Sequence, residues 1–123
     1  MVGVLTLDIS PAVMAAFERD MAERAAVEFS ALIRTAHPGI VSVMPDAELL
    51  ARTRAGVELC CRHAIASRRD ILILCLVHVL YGTDPVSQPG LSWIGSILAE
   101  GTPADSTEPD TRAYRIHCRL SES

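Results

Sequence analysis

Aromatic residues are scarce in this sequence, 4% of 123 residues, and any excess of basic charge is missing. The first shortage argues against a β-sandwich, whose strands lean on aromatic and β-branched side chains. Ala, Leu, Ile and Val dominate instead, a composition suited to helices packed through aliphatic groups. The second shortage excludes a nucleic-acid footprint, which needs a basic face: 11 basic and 15 acidic side chains leave a formal net charge of −4. Long apolar runs are lacking too. The longest, Ile71 to Leu80, is interrupted by His78 and is about half the ~20 residues that a membrane-spanning helix requires. It is expected to be a buried core helix. Met1 to Leu7 lacks both the basic and the long apolar stretch of a secretory signal. The expectation is therefore a cytoplasmic chain without membrane contact, its thiols reduced. Of the four cysteines, Cys60, Cys61, Cys75 and Cys118, the first two are adjacent and make a poor disulfide framework. There is no G-x-S-x-G, P-loop or dinucleotide fingerprint, and no internal repeat.

What is present is helical punctuation. Ser10-Pro11 supplies an N-cap and a tolerated first-turn proline. Val13, Met14, Phe17, Met21, Phe29, Leu32, Ile33 and Ala36 follow at spacings of mostly three and four, thinning to Ala25 and Ala26 in the middle. They predict one long amphipathic helix with its apolar stripe inward, stopped at His37-Pro38-Gly39. Ile40 to Met44 reads as a short apolar connection. Pro45-Asp46 opens a second helix, with Leu49, Leu50, Thr53, Val57, Cys60, Cys61 and Ala64 inward. Gly56 in its middle costs about 1 kcal/mol relative to Ala, which predicts a close helix–helix approach there. Ser67 to Asp70 is a capping-box pattern that launches the third helix, Ile71 to Leu80. That helix is apolar on nearly every side, so it is expected at the centre, enclosed by the others. Gly82 suits its left-handed cap. Leu91 to Ala99 forms a short fourth helix with Trp93, Ile94, Ile97 and Leu98 inward. Gly101 to Asp110 has the composition of a linker. In the tail, Tyr114, Ile116, Cys118 and Leu120 alternate with Arg115, His117 and Arg119; this fits a strand borrowed by a neighbour or a short helix.

Two constellations invite chemistry. Cys60-x-x-His63 and Cys75-x-x-His78 each place two ligand types on one helix face, as a Cys₂His₂ zinc site would. In an antiparallel hairpin turning near residue 66, however, His63 stands about three residues from the turn and His78 about twelve. At about 1.5 Å of rise per residue the offset is on the order of 13 Å, too far for ligands that must all reach within about 2.3 Å of one ion. Cys60 or Cys61 beside His63 resembles a thiol–imidazole dyad, but Cys75 lies in the most apolar stretch, where a thiolate is disfavoured. No catalytic residue, metal or cofactor is expected. Arg68 and Arg69 beside Arg62 form a basic cluster at a helix start, able to receive an acidic segment, and Trp93 is a candidate interface anchor.

Taken together these segments resemble a family of small bacterial proteins associated with type VI secretion, encoded beside the adaptor chaperones that load PAAR- or VgrG-linked effectors. The resemblance rests on Phe17, Met21, Arg24, Arg34 and His37-Pro38; on Arg54-Ala55-Gly56-Val57, Cys60 and the run His63 to Ile71; on Gly82-Thr83-Asp84; and on Pro89 with Trp93 to Leu98. It spans roughly residues 9–98. The chain departs from the family pattern at His63-Ala64, where the family has Tyr-Gly, and at Pro85-Val86, where it has Phe-Asp. What the resemblance implies is a non-enzymatic accessory factor, co-chaperone-like, that binds an adaptor chaperone during effector loading.

The sequence thus predicts an all-α bundle of about four main helices over residues 1–100, the third central, followed by a linker and flexible tail over 101–123. The function expected is protein binding, through Arg68, Arg69, Asp84, Trp93 and the exposed face of the first helix. An immunity-type protein that binds and neutralises a toxin is the alternative.

Overall fold

The computed structural model describes residues 10–100 and 111–122. They form six α-helices and no strand: α1 Pro11–Ala36, α2 Pro38–Val41, α3 Asp46–Arg62, α4 Arg68–Tyr81, α5 Ser92–Leu98 and α6 Arg112–Ser121, with a single 3-10 turn at Pro85–Ser87. Local punctuation sets the boundaries. The Ser10 hydroxyl accepts from the Val13 amide at 3.2 Å to start α1, and Pro38 follows its C-cap, His37. The expected connection Ile40 to Met44 is in part a helical turn, because Pro38 starts α2 and buries Val41. Arg34 holds this corner: its guanidinium donates to the carbonyls of Val41 (3.2 Å) and Met44 (2.9 Å) and pairs with Asp46 at 2.8 Å.

A Schellman motif ends α3. The Ile65 amide donates to the Cys60 carbonyl (2.9 Å) and the Ala64 amide to that of Cys61 (3.3 Å). The motif needs a left-handed residue, and Ala64 takes it at φ +55°, while Ile65 is driven into the core. Two residues on, the Ser67 hydroxyl accepts from the Asp70 amide at 3.1 Å and starts α4. Only half of the capping box forms, since the Asp70 carboxylate turns to Thr111 and Arg69. Gly82, at φ +100°, closes α4.

α4 lies at the centre, against α1, α3 and α6. It divides the core in two. Leu74 and Val77 join Leu59, Cys60, Ile65, Ile94, Leu98, Ala113 and Ile116 on one side. Cys75 and Val79 join Ala26, Phe29, Ile33, Val41, Leu49 and Val57 on the other.

Four expectations change. Residues 112–121 do not trail off as a flexible tail or alternate as a strand: they are a helix, capped by Thr111, whose Ala113 and Ile116 are buried in the core. Helical spacing (113, 116, 120) and alternation both fit so short a segment, and the docking site on α4 and α5 decides between them. Residues 101–110, the expected linker, lie outside the described residues. The outer stripe of α1 is not inward: Val13, Met21 and Leu32 are exposed, and Ala26, Phe29 and Ile33 face the core; the side chains of Met14 and Phe17 lie outside the described set. Cys61 and Ala64 are exposed rather than inward: Cys61 is turned about 100° around α3 from buried Cys60, and Ala64 lies past the end of α3 in the turn. Finally, α4 is not enclosed on all sides, as described next.

Candidate functional site

The sequence candidates at the start of α4 are spent largely on the fold. Arg68 pairs with Glu28 of α1 at 2.6 Å and lies over the Phe29 ring, 5.3 Å from its centroid. Arg69 donates to Asp70 (3.1 Å) and to the Thr111 hydroxyl (3.0 Å), and stacks on Tyr114 at 5.1 Å. Asp84 is exposed and accepts from the Ser87 hydroxyl at 2.6 Å. Trp93 is half-buried under the Arg119 guanidinium, 4.2 Å above its ring. Its neighbours Ile94 and Leu98 are buried as expected, and Ile97 half so. These four residues do not converge on one site: Arg68 and Arg69 stand at the start of α4, Asp84 lies beyond its far end, and Trp93 sits at the α5–α6 end.

A residue that the sequence analysis passed over dominates that end. Arg112 is 1% exposed. Its guanidinium donates to the carbonyls of Leu98 (2.7 Å), Glu100 (3.3 Å) and His63 (2.7 Å). These carbonyls lie at the C-terminal ends of α5 and α3, where a cation is favoured by unsatisfied oxygens and by the helix dipole. Beside it, buried Asp70 accepts from the Thr111 hydroxyl at 3.0 Å. Together they fasten α6 to the ends of three other helices.

Of the Cys and His pairs, Cys60, Cys75 and His78 are spent in the core. Cys60 and Cys75 are buried. Burial pushes the Cys75 thiol up to about 12. Burial, joined by the fields of Cys75, Cys61 and Asp70 and partly offset by Arg112, pushes Cys60 well above the usual thiol range. The Cys75 thiol donates to the Thr53 carbonyl at 3.6 Å. Buried His78 has its Nδ1 at 2.8 Å from the Leu74 carbonyl, and desolvation lowers its pKa. His63 is also lowered, first by desolvation and then by Arg112 and Arg62. Among the described residues, no three His, Cys, Asp or Glu side chains group to hold a metal ion, and no helix is long and apolar enough to cross a membrane.

Two surface grooves remain. The first, about 250 Å³, runs along the third face of α4. Ile73, Leu76 and Leu80, spaced three and four apart, form its floor, with Val77 and Tyr81 beside them. Ile40 and His37 wall it on one side, and His117, Leu120 and Ser121 of α6 on the other. No Asp, Glu, Lys or Arg side chain lines it. Leu80 is 52% and Ile40 41% exposed. Among the described residues, the five other helices do not cover every face of the all-apolar α4, and this face is left open. The second groove, about 490 Å³, lies between α1 and α3 and is charged: Glu18, Arg19, Glu23, Arg54, Glu58 and Arg62 surround Ala15, Ala22 and Cys61. The pair Arg54–Glu23 spans it with two bonds of 2.7 and 2.9 Å.

No protein-family model, curated protein or solved structure matches this chain.

Proposed function

We propose that the chain is a non-enzymatic, protein-binding accessory factor of co-chaperone type, acting in the cytoplasm with an adaptor chaperone of type VI secretion effectors. The observation that carries the reading is the uncharged groove on α4. Its Ile73, Leu76 and Leu80 are spaced to receive one face of an amphipathic helix from a partner, and His37, His117 and Ser121 give it a polar rim. The exposure of Leu80 and Ile40 beside half-buried Ile73 and Leu76 supports an interaction surface here. The core thiols, held protonated by burial, are poor nucleophiles, which favours binding over catalysis. The resemblance supplies the partner. It gains support from Ala64, which stands where the family pattern has Gly and takes the left-handed conformation that glycine suits.

The test is co-expression with a type VI adaptor chaperone and affinity purification of the tagged chain. A stable, stoichiometric complex is expected. Failure to retain the chaperone, or capture of a toxin domain in its place, would overturn the reading, the latter in favour of an immunity function.

A further inference from the structure

Among the described residues, the N-terminal half of α1 buries no side chain against the rest of the fold. From Ser10 to Met21 every described side chain is exposed, and the first buried residue is Ala26. These first three turns are the solvent-exposed end of a helix whose later turns are packed. Their core-facing side borders the charged groove and carries Ala15, Glu18, Arg19 and Ala22.

The charges there are solvent-exposed and balanced in sign. Glu23 and Arg54 bind each other. Glu18 and Arg19 on α1, and Glu58 and Arg62 on α3, form no ion pair or side-chain hydrogen bond among the described residues. Glu58 acts on Arg54, and Arg62 on His63, through their fields alone. An isologous contact requires that each charge meet its opposite under a two-fold rotation, and Glu18 with Arg19 on α1 can meet that requirement. The order on α1 fits the same operation. About a point midway between positions 18 and 19, Ala15 exchanges with Ala22 and Glu18 with Arg19. Small residues at both ends of that set allow two helices to approach closely.

We infer that this groove receives α1 of a second copy of the chain, antiparallel to the first. The two-fold axis passes between Glu18 and Arg19, so that Glu18 meets the partner's Arg19 and Ala15 packs on the partner's Ala22. Each α1 thereby fills the gap between α1 and α3 of the other copy. This surface is distinct from the α4 groove, so dimerisation and chaperone binding are separable.

Charge exchange at neighbouring positions tests it. Sedimentation of the full chain from micromolar to millimolar concentration should show a monomer–dimer equilibrium. Glu18→Arg alone, or Arg19→Glu alone, sets like charges against each other across the axis and should weaken the dimer about tenfold or more. The double variant Glu18→Arg/Arg19→Glu restores opposite charges and should return the wild-type affinity. Cys61, exposed on the groove wall, gives an independent readout in a Cys118→Ala background. Its alkylation should slow as concentration rises in the wild-type and double variants, but not in the single ones. A monomer throughout the range, a dimer indifferent to the single reversals, or no recovery in the double variant would overturn the proposal. Circular dichroism confirms that each variant is folded.

Discussion

A Cβ added to Gly56 would lie 2.8 Å from the Cα of Cys75 and 3.2 Å from its backbone nitrogen. The obstacle is main chain, so no side-chain rotation relieves it. Gly56→Ala gains about 1 kcal/mol of helix propensity but forces α3 off α4, an overpacking cost of about 1–3 kcal/mol or more. The expected net loss is about 2 kcal/mol in urea unfolding. Cys75→Ala, which leaves the backbone in place, should not rescue it.

Ala64 poses the opposite case. Its φ of +55° costs an L-residue about 1 kcal/mol that glycine does not incur. Ala64→Gly should raise stability by about 1 kcal/mol and leave the circular dichroism spectrum unchanged. One substitution sits on α3 and the other in the turn that ends it, and their opposite signs separate close packing from backbone strain.

Arg112 offers a test of the α6 dock. Arg112→Met keeps the length of the side chain and removes three bonds to carbonyls at 2.7–3.3 Å. Buried oxygens then lose a charged donor, at a cost of about 2–4 kcal/mol. Hydrogen exchange should report loss of protection across 112–121 first, with α1 and α3 retaining theirs.

These three sites differ in how legible they were in the sequence. Gly56 announces a close approach because glycine has no other reason to sit mid-helix, and Ser10, Pro38, Ser67 and Gly82 mark helix ends through bonds within a few residues of themselves. Arg112 gave no such sign. Its acceptors lie 14, 12 and 49 residues away, so its burial depends on how three helices end together. The apolar spacing of α1 points correctly to Ala26, Phe29 and Ile33 and wrongly to Val13, Met21, Leu32 and Ala36. Both sides of that helix carry apolar residues, and the side with the small Ala22 and Ala26 turns inward where α1 meets α3, leaving Val13 and Met21 outside. The groove on α4 was hidden because an all-apolar helix looks the same in sequence whether five neighbours or six surround it.

His78 gives the fold a pH dependence of defined sign. Burial lowers its pKa below the ordinary 6.5, the Leu74 carbonyl and Asp84 opposing and Arg62 assisting. The unfolded chain therefore binds a proton that the folded chain resists. Stability is full above about pH 6.5 and falls as the pH drops below it toward the folded-state pKa. His63 is shifted in the same direction and adds to the effect. Urea titrations at pH 7.5 and 5.5 should show a loss at the lower pH, and His78→Gln should diminish that difference.

The central claim is that the uncovered face of α4 is a protein-binding groove, and Leu80 tests it most directly. At 52% exposure, Leu80→Asp should change stability by no more than about 0.5 kcal/mol, so a loss of binding reports on the surface alone. Titration calorimetry of the type VI adaptor chaperone against wild type and Leu80→Asp is the measurement. The account predicts saturable binding by the wild type and at least about tenfold weaker binding by a variant of equal stability. Binding unaffected by Leu80→Asp, or no binding by the wild type, would contradict it.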